Sequence, residues 1–269
     1  MAETARLLIL GGTTEAASLA AAAARQMGEL RVITSLAGRT TAPAKLAGEV
    51  RTGGFGGTAR LEDYLRAEAI DLVIDATHPF AAVISANAAA ACDGAGVQRL
   101  QLCRPAWARQ PGDAWIEVAD IAAAAAKLPA TGDRAFLTVG RGDLDCFAPI
   151  RGTWFLIRTI EKPDVAAMPP SSVAIQGRGP FDEQSERALM AKHRIDVVIA
   201  KNSGGAATYG KIAAARTANI PVIMVRRPPG TPGERVATVD AATDWLKGRL
   251  RGTGEGVGWT PDQARGDNL

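Results

Sequence analysis

The chain has 269 residues, 47% of them hydrophobic and 22% charged, and a formal net charge of +3. That balance excludes a disordered or fibrous chain, and the length suits two domains or one large one. With 53 alanines against 13 aromatic residues, helices packed closely on sheets are favoured over an all-β sandwich.

The first predicted strand is Arg6-Leu7-Leu8-Ile9-Leu10, followed by the turn Gly11-Gly12-Thr13-Thr14-Glu15 and a helix reaching Met27. Glycines at a strand-to-helix turn let backbone approach a phosphate, and the helix N-terminus offers N–H groups and a positive dipole. The full G-x-G-x-x-G spacing is absent, so a tight turn with a threonine N-cap is the competing reading. A second strand, Leu30–Ser35, completes βαβ spacing. It leads into Ser35-Leu36-Ala37-Gly38-Arg39-Thr40, with no acid for a ribose and one arginine suited to a 2′-phosphate. If a dinucleotide binds here, NADP is favoured over NAD.

A third strand over Glu49–Arg51 precedes Gly53-Gly54-Phe55-Gly56-Gly57, read either as backbone laid against a ligand or as a flexible connection. The buried strand Asp71–Asp75 runs into Ala76-Thr77-His78-Pro79-Phe80, so His78 falls at the same carboxyl edge. There it could donate to a cofactor or transfer a proton. A helix from Phe80 to Ala91 and a strand over Arg99–Leu102 close this unit, and Cys103–Gly112 reads as a linker.

The pattern then restarts with strands at Ala135–Val139, Trp154–Arg158 and Val173–Gln176. A charged helix over Asp182–Lys192, the buried strand Ile195–Ala200, a helix near Tyr209–Ala218, a strand over Pro221–Val225 and a last helix over Asp240–Leu250 follow. Three turns at strand ends join glycine to a cation, as carboxylate or phosphate sites require: Gly140-Arg141-Gly142, Gly177-Arg178-Gly179 and Lys201-Asn202-Ser203-Gly204-Gly205. For Lys201 the competing reading is a cation that caps the sheet edge in water.

The reading is therefore α/β, with two Rossmann-like parallel-sheet domains and the active site between them. Residues 1–103 form a nucleotide domain, 104–112 a linker, 113–250 a substrate-side domain and 251–269 a disordered tail. Residues 104–250 carry 20 Lys+Arg against 15 Asp+Glu, and residues 1–103 carry 9 against 10. This suits a small anionic ligand facing the second half, and no cluster is dense enough for nucleic acid. Cys92, Cys103 and Cys146 have no metal-ligand spacing and fit a reducing cytoplasm. No metal, membrane or obligate protein partner is implied.

With these motifs in this order, the chain resembles the precorrin-6A reductases of the cobalamin pathway over about residues 6–227. The most specific stretches are Asp75–Ala81 and Lys201–Gly205. The resemblance implies an oxidoreductase acting on a CH–CH group. It would reduce one double bond of an anionic tetrapyrrole with NADPH to give precorrin-6B. On that basis Gly11, Gly12, Thr13 and Thr14 hold the pyrophosphate, and Arg39, with Ser35 and Thr40, the 2′-phosphate end. Gly53, Gly54, Thr77 and His78 flank the nicotinamide half. Arg141, Arg178, Lys201 and Ser203 hold substrate carboxylates, and His78 and Lys201 are the candidates for catalysis. Two other classes are an NADPH-sensing module without catalysis and a nucleotide-sugar or methyl transferase.

Overall fold

The computed structural model describes residues 4–26, 30–38 and 46–252. Two six-stranded sheets, parallel throughout, form the frame. The first contains β1 (Ala5–Leu10), β2 (Leu30–Leu36), β3 (Glu49–Thr52), β4 (Leu72–Asp75) and β5 (Gln98–Leu102), with helices α1 (Thr14–Gln26), α2 (Thr58–Ala67) and α3 (Ala82–Ala95) between strands. The second contains β6 (Trp115–Val118), β7 (Arg134–Leu137), β8 (Trp154–Thr159), β9 (Ser172–Gln176), β10 (Val197–Lys201) and β11 (Val222–Val225), with α4 (Ile121–Lys127), α5 (Glu183–Lys192) and α6 (Gly210–Thr217). The chain ends in β12 (Glu234–Val236) and α7 (Val239–Gly252).

The first sheet runs β12-β5-β4-β1-β2-β3 and the second β6-β11-β10-β7-β8-β9. Both are doubly wound. The strand order reverses between β1 and β4 in one sheet and between β7 and β10 in the other, and such reversals open a crevice at the carboxyl ends. The central strands are buried on both faces, as helices on both sides demand. In β10, Val197 and Ile199 point into one core, Val198 and Ala200 into the other.

Alanines explain how closely α1 lies. Ala16, Ala20 and Ala23, with Leu19, are buried against Ala242 and Leu246 of α7 and the first sheet. Here the structure departs from the sequence reading, which keeps residues 113–250 together. β12 pairs with β5 instead, Glu234 opposite Leu100 and Val236 opposite Leu102, and α7 packs on α1. An apolar stripe of Val239, Ala242 and Leu246, beside Trp245, finds its cover on the first sheet. Of the expected tail, Arg251 and Gly252 belong to α7, and residues 253–269 lie outside the described part.

The linker is also more than a tether. Asp113, 7% exposed, pairs with Arg216 at 2.8 Å and accepts the Gln110 N–H. The Trp107 N–H donates to Asn202 Oδ1, and Asn202 Nδ2 donates to the Trp107 carbonyl.

Candidate functional site

The carboxyl edges of the two sheets face each other. Phe80, beyond β4, packs on the Leu144/Phe147 core of the second unit, and Lys201, at the end of β10, lies 5.2 Å from its ring centroid.

On the first sheet, the Gly11 N–H donates to the Ser35 carbonyl at 2.9 Å, holding the turn against β2. Gly12 has φ +110°, and a Cβ there would meet nothing within 4 Å. The glycine thus keeps an open space in front of the N-terminal turn of α1, whose N–H groups have no intrahelical partners. Thr14 is exposed beside it. The Thr13 hydroxyl accepts from the Ala16 N–H and donates to the Ala76 carbonyl at 2.7 Å. It is the N-cap and joins the ends of β1 and β4. The Gly53-Gly54 loop is pinned rather than slack. The Gly53 N–H donates to the Leu36 carbonyl, and Arg51 donates to the Gly53 and Gly54 carbonyls while its guanidinium covers the Phe55 ring at 3.8 Å. A Cβ at Gly53 or Gly54 would also enter open space. Arg39 and Thr40 lie outside the described residues.

Asp75, 1% exposed, fixes the next loop: its Oδ1 accepts from both the N–H and the hydroxyl of Thr77. His78 follows, with Nδ1 accepting from the Phe80 N–H at 3.3 Å, so Nε2 carries the proton of the neutral ring. Burial of part of the ring, then the cations Arg104, Lys201, Arg227 and Lys211, lower its pKa below the ordinary histidine value. The residue remains open to solvent, and at pH 7 the ring is a neutral hydrogen-bonding group.

On the second sheet, Lys201 Nζ lies 2.5 Å from Asp143 Oδ2, with side chains 17% and 29% exposed. Asp143 sits in a 3-10 turn, Arg141–Cys146, directly after β7, so β7 and β10 deliver the pair across the second sheet's reversal point. Arg141 bonds Glu161 at 3.2 Å. Arg178 is exposed beyond β9, the outermost strand. The turn comes back toward the loop that follows β10: the Phe181 N–H donates to the Ala207 carbonyl at 3.0 Å, and a Cβ on Gly179 would lie 2.7 Å from that oxygen. Ser203 is buried, and its N–H donates to the Lys201 carbonyl. The structure therefore gathers His78, Thr77, Phe80, Lys201 and Ser203.

Sequence reasoning missed the cations that join the two sides. Arg104, inside the expected linker, pairs with Glu15 of α1 at 2.8 Å and donates from Nε to the Ser203 and Gly204 carbonyls. Arg227 donates to the carbonyls of Asn202, Ser203, Arg104 and Pro105. These contacts span 24 to 123 residues, so no local spacing announces them; only the glycines of the 201–205 turn hint at a close approach. Gly204, at φ +68°, would put a Cβ 1.9 Å from the Pro105 carbonyl oxygen. Beside the linker, an open groove of about 630 Å³ runs along Trp107, Tyr209, Gly205 and Arg216. Among the described residues, no three His, Cys, Asp or Glu side chains come together as a metal site needs, and no helix is long and apolar enough to cross a membrane.

Two doubly wound sheets whose carboxyl edges meet, with an open glycine turn on one and cations on the other, define an α/β protein of the doubly wound class. Comparison with known proteins gives the family. The chain belongs to the precorrin-6x reductase CbiJ/CobK family, whose model matches residues 6–247. It is 50% identical to a precorrin-6A reductase of Rhodococcus erythropolis over 242 residues, covering 90% of this chain and 97% of that one. It is 44% identical to a precorrin-6A reductase of Rhodobacter capsulatus, covering 90% and 95%. A solved CobK precorrin-6A reductase superposes with a TM-score of 0.85 at 43% identity, over 91% of this chain and 96% of the other.

Proposed function

We propose that this chain is an NADPH-dependent precorrin-6A reductase of cobalamin biosynthesis, reducing one double bond of the macrocycle to give precorrin-6B. The observation that carries the reading is the cleft itself: an open glycine turn on a Rossmann-type edge faces a lysine-bearing edge, in a chain 50% identical to a reductase of that name. The free cysteines Cys92, Cys103 and Cys146 fit a cytoplasmic setting.

The dinucleotide fits the residues present. The space over Gly12, Gly53 and Gly54 is what a pyrophosphate lying on backbone needs, and the α1 terminus supplies dipole and N–H groups. Gly11, Gly12 and Thr14 would hold the phosphates, Thr13 would shape the turn as its cap, and Arg39, Thr40 and Ser35 would meet the 2′-phosphate end. Gly53, Gly54 and Thr77 would line the path toward His78. When bound, NADPH supplies the hydride.

The protein's own contribution is orientation and charge. Lys201 would take a substrate carboxylate while keeping Asp143 as its second partner, and Arg141 and Ser203 would lie along the same edge. Arg178, in the turn after β9, would meet another carboxylate of so large a ring. His78, neutral at pH 7, offers an Nε2–H as a hydrogen-bond donor and is a poor proton source; its part is to fix the reacting faces. Holding donor and acceptor in register can lower a barrier by ~7–11 kcal/mol.

Loss of NADPH absorbance at 340 nm with precorrin-6A present and absent tests the reaction. Consumption that does not depend on the tetrapyrrole overturns it. Arg39→Ala should weaken NADPH alone by about tenfold to a hundredfold, the worth of a charge-assisted contact; equal loss for NADH would remove Arg39 from the 2′-phosphate.

A further inference from the structure

We infer that Glu15 and Arg104 are positioning residues, a pair that couples the glycine turn of the first sheet to the Lys201 turn of the second. The inference rests on the cofactor reading above.

One guanidinium touches both units. Arg104 Nη1 lies 2.8 Å from Glu15 Oε2, and its Nε donates to the Ser203 carbonyl at 2.8 Å and the Gly204 carbonyl at 3.1 Å. The two side chains are 17% and 25% exposed, so the pair is largely withdrawn from water. A Cβ on Gly205, at φ +78°, would fall 2.9 Å from Arg104 Cδ; glycine is what lets the arginine lie on that turn. Arg227 then bonds the carbonyls of residues 104, 105, 202 and 203 together, so the linker and the turn move as one body. Lys201 belongs to that body, since its carbonyl accepts the Ser203 N–H at 2.7 Å.

The charge of Glu15 suits the dipole of α1 but opposes a phosphate. It stands in the first turn of α1, immediately after Gly11–Thr14, where it repels any phosphate drawn to the same helix end. Among the described residues, Arg104 is the cation paired with it. A carboxylate that opposes the first ligand and anchors the wall that holds the second gives a signature of two signs. Removing it should ease binding at the glycine turn and loosen the Lys201 turn. A side chain that only stabilised the fold would weaken both.

The test uses the full chain and Glu15→Gln, which keeps shape and removes charge. The Kd for NADP⁺ should stay the same or fall, while the KM for the tetrapyrrole rises about five- to tenfold. Hydrogen exchange supplies a readout independent of turnover. In the wild type, NADP⁺ should slow exchange at 11–16 and also at 103–107 and 201–205; in Glu15→Gln only the 11–16 protection should survive. Arg104→Lys, which keeps the charge but cannot hold Glu15 and both carbonyls at once, should lose the 103–107 and 201–205 protection in the same way. Protection at 11–16 in the wild type with none at 201–205 overturns the coupling and leaves the cofactor reading standing. Without protection at 11–16 the cofactor reading fails, and the coupling with it. If Glu15→Gln weakens both ligands alike with a lowered melting temperature, the pair is structural and the inference is wrong.

Discussion

Gly12 and Gly204 both stand at the carboxyl ends of central strands, both with positive φ, and they do opposite things. A Cβ on Gly12 would enter empty space, whereas one on Gly204 would strike the Pro105 carbonyl oxygen at 1.9 Å. The first sheet uses glycine to leave room for something that is not protein; the second uses it to let another part of the chain come close. The same contrast runs through the reversal points. β1 leads into α1, a 13-residue helix with an open N-terminus, while β7 leads into a short 3-10 turn whose Asp143 is already paired with Lys201. Two sheets with the same kind of reversal point thus present one edge with an open glycine turn and one whose charges already have internal partners.

Substituting the two glycines should separate these roles, and the larger effect falls on the second sheet. Gly204→Ala combines left-handed strain with a backbone collision, together about 3 kcal/mol or more. In a chain of this size, differential scanning calorimetry should show a melting temperature lower by roughly 6–12 °C. An unchanged melt would mean that the clasp on Pro105 is not needed. Gly12→Ala should lower stability by only ~1 kcal/mol but put a methyl group where phosphate is expected, with at least a roughly tenfold loss in NADPH affinity by titration. If affinity holds, the space over Gly12 serves something else.

On the second edge, Lys201→Ala should lower kcat/KM by about tenfold, ~1.5 kcal/mol, with little change in the melt because Asp143 is close to solvent. Unchanged kinetics would return Lys201 to a merely structural pairing. The smallest effect concerns Lys211, 5% exposed, with Nζ on the Thr208 carbonyl and 5.1 Å from the Trp107 ring. Burial lowers its pKa to about 7. The unfolded chain therefore binds the extra proton between pH 7 and the ordinary lysine value, and native stability rises across that window. Lys211→Met should gain about 1–2 kcal/mol near pH 7 after losing the Thr208 bond, and the gain should vanish by pH 10. A gain that does not depend on pH would locate its cause in packing.

Much of this contrast was legible in the chain and some was not. The apolar runs Leu7–Leu10, Leu72–Ile74 and Val197–Ala200 announce central strands because both of their faces are covered. The doubly wound α/β architecture follows from their alternation with helices. β12 could not be read: Glu-Arg-Val is short and largely exposed, and only its pairing with β5, more than 130 residues away in sequence, makes it a strand. β6 and α4 follow a proline-glycine stretch that reads as linker, and the alanines of α4 give no period. Gly11–Thr14, Thr77 and His78 stand out as candidates in the sequence because turns at strand ends are local. Arg104, Asp143 and Arg227 do not, since each acquires its meaning from a partner on another strand.

The return of the chain to β5 has a consequence for biosynthesis. The second sheet is drawn wholly from residues 115–225, while the first waits for residues 234–252 to supply its outer strand and the helix over α1. During translation the later half is therefore the first to have all of its parts, and the earlier half emerges with the edge of β5 bare until residues 234–236 have been made. An unpaired strand edge is a template for other chains. Nascent chains stalled near residue 230 should accordingly be the species most prone to aggregate and most in need of a chaperone.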